Sequence, residues 1–230
     1  NHKFKNNYQF LNTINKRSFD VANSMFSIHF YLKNKSDIEN LLLNVSNSLK
    51  YKGVFLVSCL DGDLVYNKLK KLKNNDDTLC GKVDGKIVWQ IKKGEFLNCT
   101  SNTLINDIND PSSYGNKISV KVSSISDEYN DEYLVSPSLL IKLASKFGLK
   151  LMDTETVKRK YKFLEGATDN FWNIYKLYNP KNRQTELGEK RNRPLSNYTK
   201  LHRYYIFEYV NDVTYPDLTF TRDNSHITDN

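Results

Sequence analysis

Cysteine is scarce, at three in 230 residues, and Cys59, Cys80 and Cys99 show no metal-ligand spacing. An odd, unpatterned set argues against a disulfide framework or structural zinc and points to reduced thiols in an intracellular protein. No run of about 18 apolar residues occurs and the first residues are polar, so neither a transmembrane helix nor a signal peptide is predicted. The chain also lacks a G-x-S-x-G elbow, an H-E-x-x-H pair and a Walker loop, which makes hydrolase readings poor. No internal repeat is visible. No G-x-G-like stretch precedes Phe19, and the chain opens on Asn1 with apolar elements that read like the middle of a fold. Both features predict a fragment of a longer protein.

What is present suffices for a core: 39% of residues are hydrophobic and 13% aromatic. That favours one large or two small globular domains. A formal charge of +8 suits either an anionic partner such as nucleic acid or simply a solvated lysine-rich surface.

The pattern is that of an α/β protein. Residues 1–18 read as an irregular lead-in with an apolar patch at Tyr8 to Leu11. Phe19 to His29 (FDVANSMFSIH) reads as a central strand covered on both faces. His29 at its exit is either a satisfied buried histidine or a ligand-facing one, because ligands gather at the carboxyl ends of strands in open α/β sheets. Ser36 and Glu39 form a capping-box pattern before a helix striped with Ile38, Leu41, Leu42, Val45 and Leu49. A second buried strand is predicted over Val54 to Leu60, making a strand-helix-strand unit with parallel strands. Asp61-Gly62-Asp63 turns into a helix through about Leu72, and the two aspartates either cap that helix or face a ligand.

Residues 82–125 alternate as antiparallel strands around a polar loop. Asp131 to Val135 (DEYLV) is extended and carries Glu132 among apolar neighbours. Ser136 and Pro137 then start a helix that Gly148 ends, and Leu149 to Met152 resumes a strand. Phe171, Trp172, Tyr175 and Tyr178 cluster next, Asn179 to Pro194 reads as a loop, and Tyr204 to Val210 is an aromatic strand. Residues 211–230 read as a tail.

Several of these stretches resemble the mRNA cap guanine-N7 methyltransferases, which carry the class I S-adenosylmethionine-dependent (Rossmann-like) fold. FDVANSMFSIHF resembles that family's F-D-x-x-x-x-Q-F-x-x-H-Y strand. IENLLLNVSNSLK with GVFLVSCLDGD resembles its following helix and strand. KISVKVSSI with DEYLV resembles the insertion and its glutamate-bearing strand, and LSNYTKLHRYYIFEYV its closing segment. The likeness spans about Ser18 to Val210 and is strongest to the capping enzymes of large cytoplasmic DNA viruses. It implies an α/β sheet incomplete at its N-terminus, covering residues 19–210, with an antiparallel insertion or cap-side lid at 82–135.

Carried over residue by residue, the resemblance places the guanine-facing histidine at His29 and its aromatic neighbour, usually tyrosine, at Phe30. The guanine-reading glutamate falls on Glu132 and the tyrosine of the last strand on Tyr205, or on Tyr204 if the register slips by one. The cofactor implied is S-adenosylmethionine, with Ser24, Met25 and Phe26 beside it. The family's glutamine falls on Met25, a departure that weakens one expected contact to the methyl donor. The Gly-rich cofactor loop and the lysines near the cap triphosphate would lie upstream of this chain.

Guanine N7 has a free lone pair, so methyl transfer to it needs positioning and field rather than a general base. No catalytic acid or base and no metal are expected. Capped RNA is the implied substrate, without DNA specificity or membrane attachment, in the host cytoplasm or virion, with upstream capping domains or a stimulatory subunit as partners. The alternatives are a noncatalytic stimulatory relative, a small-molecule or protein methyltransferase of the same fold, and an RNA-binding module.

Overall fold

A computed structural model describes residues 17–73, 78–94, 104–178 and 186–210. The expected patch at Tyr8 to Leu11 and the tail at 211–230 lie outside them, as does almost all of the lead-in.

Strand β1 (Phe19–Met25) is followed by a 3-10 helix (Ile28–Lys33), helix α1 (Lys35–Ser48) and strand β2 (Leu49–Leu60). β1 and β2 pair in parallel, Val21 to Val54 through Met25 to Ser58. The strand does not run on to His29. Phe26 takes φ 54°, outside the extended region, and the apolar letters that follow coil into the 3-10 helix and bury Ile28 and Leu32. Nor is β1 central among the described residues. It is the edge of the order β1-β2-β9-β7, with Phe19, Val21 and Met25 exposed.

In α1 the expected stripe is present, burying Ile38 and Leu42 completely. Fully burying side chains of this size is worth about 1.5 to 3 kcal/mol each. The cap differs from the expected Ser36. Asn34 is extended, and its side chain accepts from the Asp37 N–H at 2.9 Å. Leu49 belongs to β2 instead of α1, because the helix ends one residue earlier.

Asp61 caps helix α2 (Gly62–Lys70), accepting from the Leu64 N–H. Gly62 is required there, since a Cβ would lie 2.5 Å from the Val135 carbonyl oxygen. That close approach carries the Gly62 N–H bond to Val135, which ties the main sheet to the second one.

The second sheet is antiparallel throughout, in the order β3 (Thr78–Val83), β4 (Lys86–Lys93), β5 (Lys117–Val122), β6 (Asn130–Tyr133). Helix α3 (Pro137–Lys146) leads through Gly148, at φ 71°, into β7 (Leu149–Leu151). Ser136 occupies the N-cap of α3 as expected, but its side chain makes no capping hydrogen bond. Then come α4 (Thr154–Lys160), β8 (Thr168–Asn170), α5 (Phe171–Tyr178), α6 (Glu186–Thr199) and β9 (His202–Tyr209).

The loop expected over Asn179 to Pro194 is in part helix α6, which continues through Pro194. β9 starts earlier than expected, at His202, and pairs antiparallel with β2, β7 and β8. Its two faces feed different cores. Tyr205 and Phe207 pack toward α1 and α3, whereas Tyr204 and Ile206 pack with Met152 and Val157.

Candidate functional site

Where the end of β1 meets β6 and the α6–β9 junction, a cavity of about 490 Å³ opens. Such a volume suits a small organic ligand. Its described lining includes Phe26, His29, Phe30, Glu132, Tyr198 and His202, and contains no lysine or arginine.

His29 reaches the cavity from the 3-10 helix and Glu132 from the middle of β6, Nε2 lying 3.5 Å from Oε2. Their side chains are only 7% and 14% exposed. Burial raises the Glu132 carboxyl from its usual 4.5 to about 7. Burial first, and then the nearby His202, lower His29 from 6.5 to about 4. Each partner is thus pushed toward its neutral form, and the contact is not a fixed ion pair. Both ring nitrogens of His29 are buried without a hydrogen-bond partner among the described residues. Leaving such groups unpaired costs about 1 to 3 kcal/mol each, which a ligand with matching polar atoms would relieve.

The aromatic side chains form a row. Phe26 meets Phe171 edge-on at 5.4 Å and His202 at 5.2 Å, and His202 meets Tyr198 at 4.7 Å. On the other side, Phe30 tilts over His29 at 4.2 Å with half its surface exposed. The described lining is therefore mostly apolar and walled by rings, and its polar groups include Asn130, Thr199, one carboxyl and two neutral imidazoles.

Of the residues expected at the guanine, His29, Phe30 and Glu132 are brought together, and Phe26, expected beside the cofactor, lines the same cavity. Tyr205 is not among the lining residues. It is 1% exposed inside the main core, and its hydroxyl has no hydrogen-bond partner among the described residues. The register-slipped choice, Tyr204, also points elsewhere, donating to the Gly166 carbonyl. The residues at that wall are His202 and Tyr198, which sequence reasoning missed although both lie in LSNYTKLHRYYIFEYV. Ser24 is buried at the end of β1, its hydroxyl 2.9 Å from that of Ser27. Met25 is 45% exposed, and its sulfur accepts from the Ser58 hydroxyl. Of the turn aspartates, Asp61 both caps α2 and pairs with Arg203 at 2.7 Å, and Asp63 accepts from the Leu104 N–H.

These shifts set a pH dependence of stability. For Glu132 the folded value is raised, so its contribution is full below about pH 4.5 and is lost as the pH rises through about 7. For His29 and His202 the folded value is depressed to about 4, so theirs is full above about pH 6.5 and is lost as the pH falls through about 4. Glu132→Gln removes only the loss on the alkaline side. Its urea midpoint should exceed that of the parent at about pH 8 and converge with it at about pH 4; a gap of constant size would show that Glu132 titrates normally.

The mRNA (guanine-N(7))-methyltransferase domain family matches residues 3–198. A probable mRNA-capping enzyme of Acanthamoeba polyphaga mimivirus is 31% identical over 164 residues, covering 70% of this chain and 12% of that protein. The chain thus spans about an eighth of the length of this relative. Among solved structures, the CcbJ methyltransferase of Streptomyces caelestis superposes with a TM-score of 0.43 at 12% identity, over 84% of this chain and 62% of that one. A putative S-adenosylmethionine-dependent methyltransferase of Listeria monocytogenes gives 0.41 at 14%, over 86% and 64%.

Proposed function

We propose, on the premise that this chain belongs to the mRNA (guanine-N(7))-methyltransferase domain family, that the cavity seats the cap guanine of an RNA substrate and that the complete protein methylates it at N7. The observation that carries this reading is a largely apolar cavity whose one carboxyl among the described lining, Glu132, lies beside a buried, unpartnered His29. A neutral purine matches those walls, whereas a phosphate would meet no cation among the described lining residues. The cap triphosphate would lie outside, toward the positive surface of a chain with formal charge +8.

S-adenosylmethionine is the methyl donor of this family and supplies, when bound, an electrophilic methyl on a sulfonium. The described residues fit one side of it: Met25 presents an exposed apolar surface at the end of β1, and Phe26 lines the cavity next to it. Ser24 turns its hydroxyl inward to Ser27 and serves the strand end.

The task of the chain itself is positioning. Glu132 accepts from the guanine N1–H and 2-amino group, and its negative charge favours the cation that develops on the ring. Phe30 covers one ring face, a contact worth roughly 1 to 3 kcal/mol in comparable sites. His29 bonds or packs against the base edge. Fixing the base in this way holds N7 in line for attack without a general base. Residues 19–210 would act as one methyltransferase unit with 82–135 as its cap-side lid, within a viral capping enzyme working in host cytoplasm or virion. Upstream capping domains or a stimulatory subunit would be its partners.

Methyl transfer to a GpppA-capped RNA by the complete natural protein tests the reading. Turnover is expected; silence accompanied by stimulation of an active partner would make this the noncatalytic relative. His29→Ala should weaken binding of the cap dinucleotide about tenfold or more while donor binding changes less than twofold. Equal loss of both would make His29 a structural residue.

A further inference from the structure

His202 begins β9 at the wall of the cavity and is almost fully buried. Its Nδ1 lies 2.9 Å from the Tyr198 carbonyl oxygen. A carbonyl only accepts, so Nδ1 carries a hydrogen. Burial keeps the ring neutral, lowering it to about 4, so Nε2 is left as a lone pair. The tautomer is therefore set by the backbone, whereas no partner sets that of His29.

The ring is also held in place. It sits edge-on between Phe26 and Tyr198, and Tyr198 is backed by Trp89 at 5.2 Å. Trp89 Nε1–H in turn donates to the Pro194 carbonyl at 2.7 Å, fastening the end of α6 to the second sheet. Gly81 makes room for this indole, as a Cβ there would lie 2.2 Å from Nε1. A rigidly presented acceptor inside a ligand cavity is a specificity element, because only a ligand with a matching donor satisfies it.

The donor count of guanine indicates which group that is. The N1–H and the two hydrogens of the 2-amino group make three donors on one edge. Two carboxylate oxygens of Glu132 meet two of them, one of the amino hydrogens included. We infer that His202 is a specificity-determining residue that accepts the remaining hydrogen of the guanine 2-amino group through Nε2, an inference that rests on the reading of this cavity as the cap-guanine site.

Inosine lacks only that amino group, so the test compares binding of GpppA and IpppA dinucleotides to the complete natural protein. The wild type should prefer the guanosine cap. His202→Phe, which keeps a ring in the aromatic row but has no acceptor, should reduce that preference about tenfold and alter IpppA affinity less than twofold. No preference in the wild type, or equal weakening of both caps in the variant, overturns the role. A Glu132→Gln arm separates this from the parent reading. If that variant binds both caps as the wild type does, the cavity is not the guanine seat. If it weakens GpppA while His202→Phe leaves the ratio intact, only the role of His202 falls.

Discussion

Glu132→Ala in the complete protein should lower N7 methylation of capped RNA by about 100-fold or more, with the fold intact. Groups aimed at developing charge in a water-poor site are worth about 10²- to 10³-fold in rate when removed singly. Glu132 has that setting: it is largely buried, desolvation is what raises its carboxyl to about 7, and the described lining of the cavity it faces holds no other acid. Methylation at N7 turns the base into a cation, so a carboxylate on its edge interacts more strongly with the transition state than with the substrate. The loss should therefore appear in kcat as well as in KM. Glu132→Gln keeps the shape and one acceptor but not the charge, and should fall between wild type and alanine. Because the carboxylate is costly to bury, both variants should be at least as resistant to urea as the parent near neutral pH. Unchanged turnover in Glu132→Ala would remove this residue from the mechanism.

Asp61→Ala should destabilise the domain by about 3 kcal/mol, the largest loss expected from any single polar substitution considered. Asp61 has two duties: one oxygen caps α2 through the Leu64 N–H, and the other holds the Arg203 guanidinium at 2.7 Å. Loss of an N-cap costs about 1 kcal/mol. Leaving a partly buried guanidinium unpaired adds about 2 kcal/mol, below the range for a fully buried pair because the Arg203 side chain keeps 31% exposure. Asp61→Asn retains the cap and should lose only the second part. Urea denaturation of the two variants measures both, and adding Arg203→Leu to Asp61→Ala should recover much of the difference. Alanine and asparagine variants as stable as the parent would show that the pair is neutral on balance. The same contact positions β9 against the end of β2, and with it His202 against the cavity.

Helix α1, the buried half of β2 from Val54 and the Asp61-Gly62-Asp63 turn were legible because each rests on neighbours within a few residues. Ile38 and Leu42 recur at helical spacing, and a short acidic side chain caps the next amide it reaches. Hydrophobic pattern also located Glu132 and His29, since a polar side chain within an apolar run stands out. It could not show that FSIHFY coils after Phe26, because a buried 3-10 turn and a buried strand use the same letters. The helical part of 186–199 was missed for the opposite reason: its residues are polar, with Pro194 inside, so no apolar stripe announces it.

Family membership and the α/β class were in the chain order of the residues themselves, and the resemblance placed His29 and Glu132 at one expected site without showing that they meet. Which aromatic of the closing segment faces the cavity was decided only by tertiary structure. Successive residues of β9 point to opposite faces, so the seat of Tyr205 in the core and of His202 at the cavity follows from the register of β9 on β2, Val57 to Tyr205 and Leu60 to His202. The shifts of Glu132 and His29 have the same origin: they come from burial by segments distant in sequence, and no local pattern encodes how much water those segments exclude.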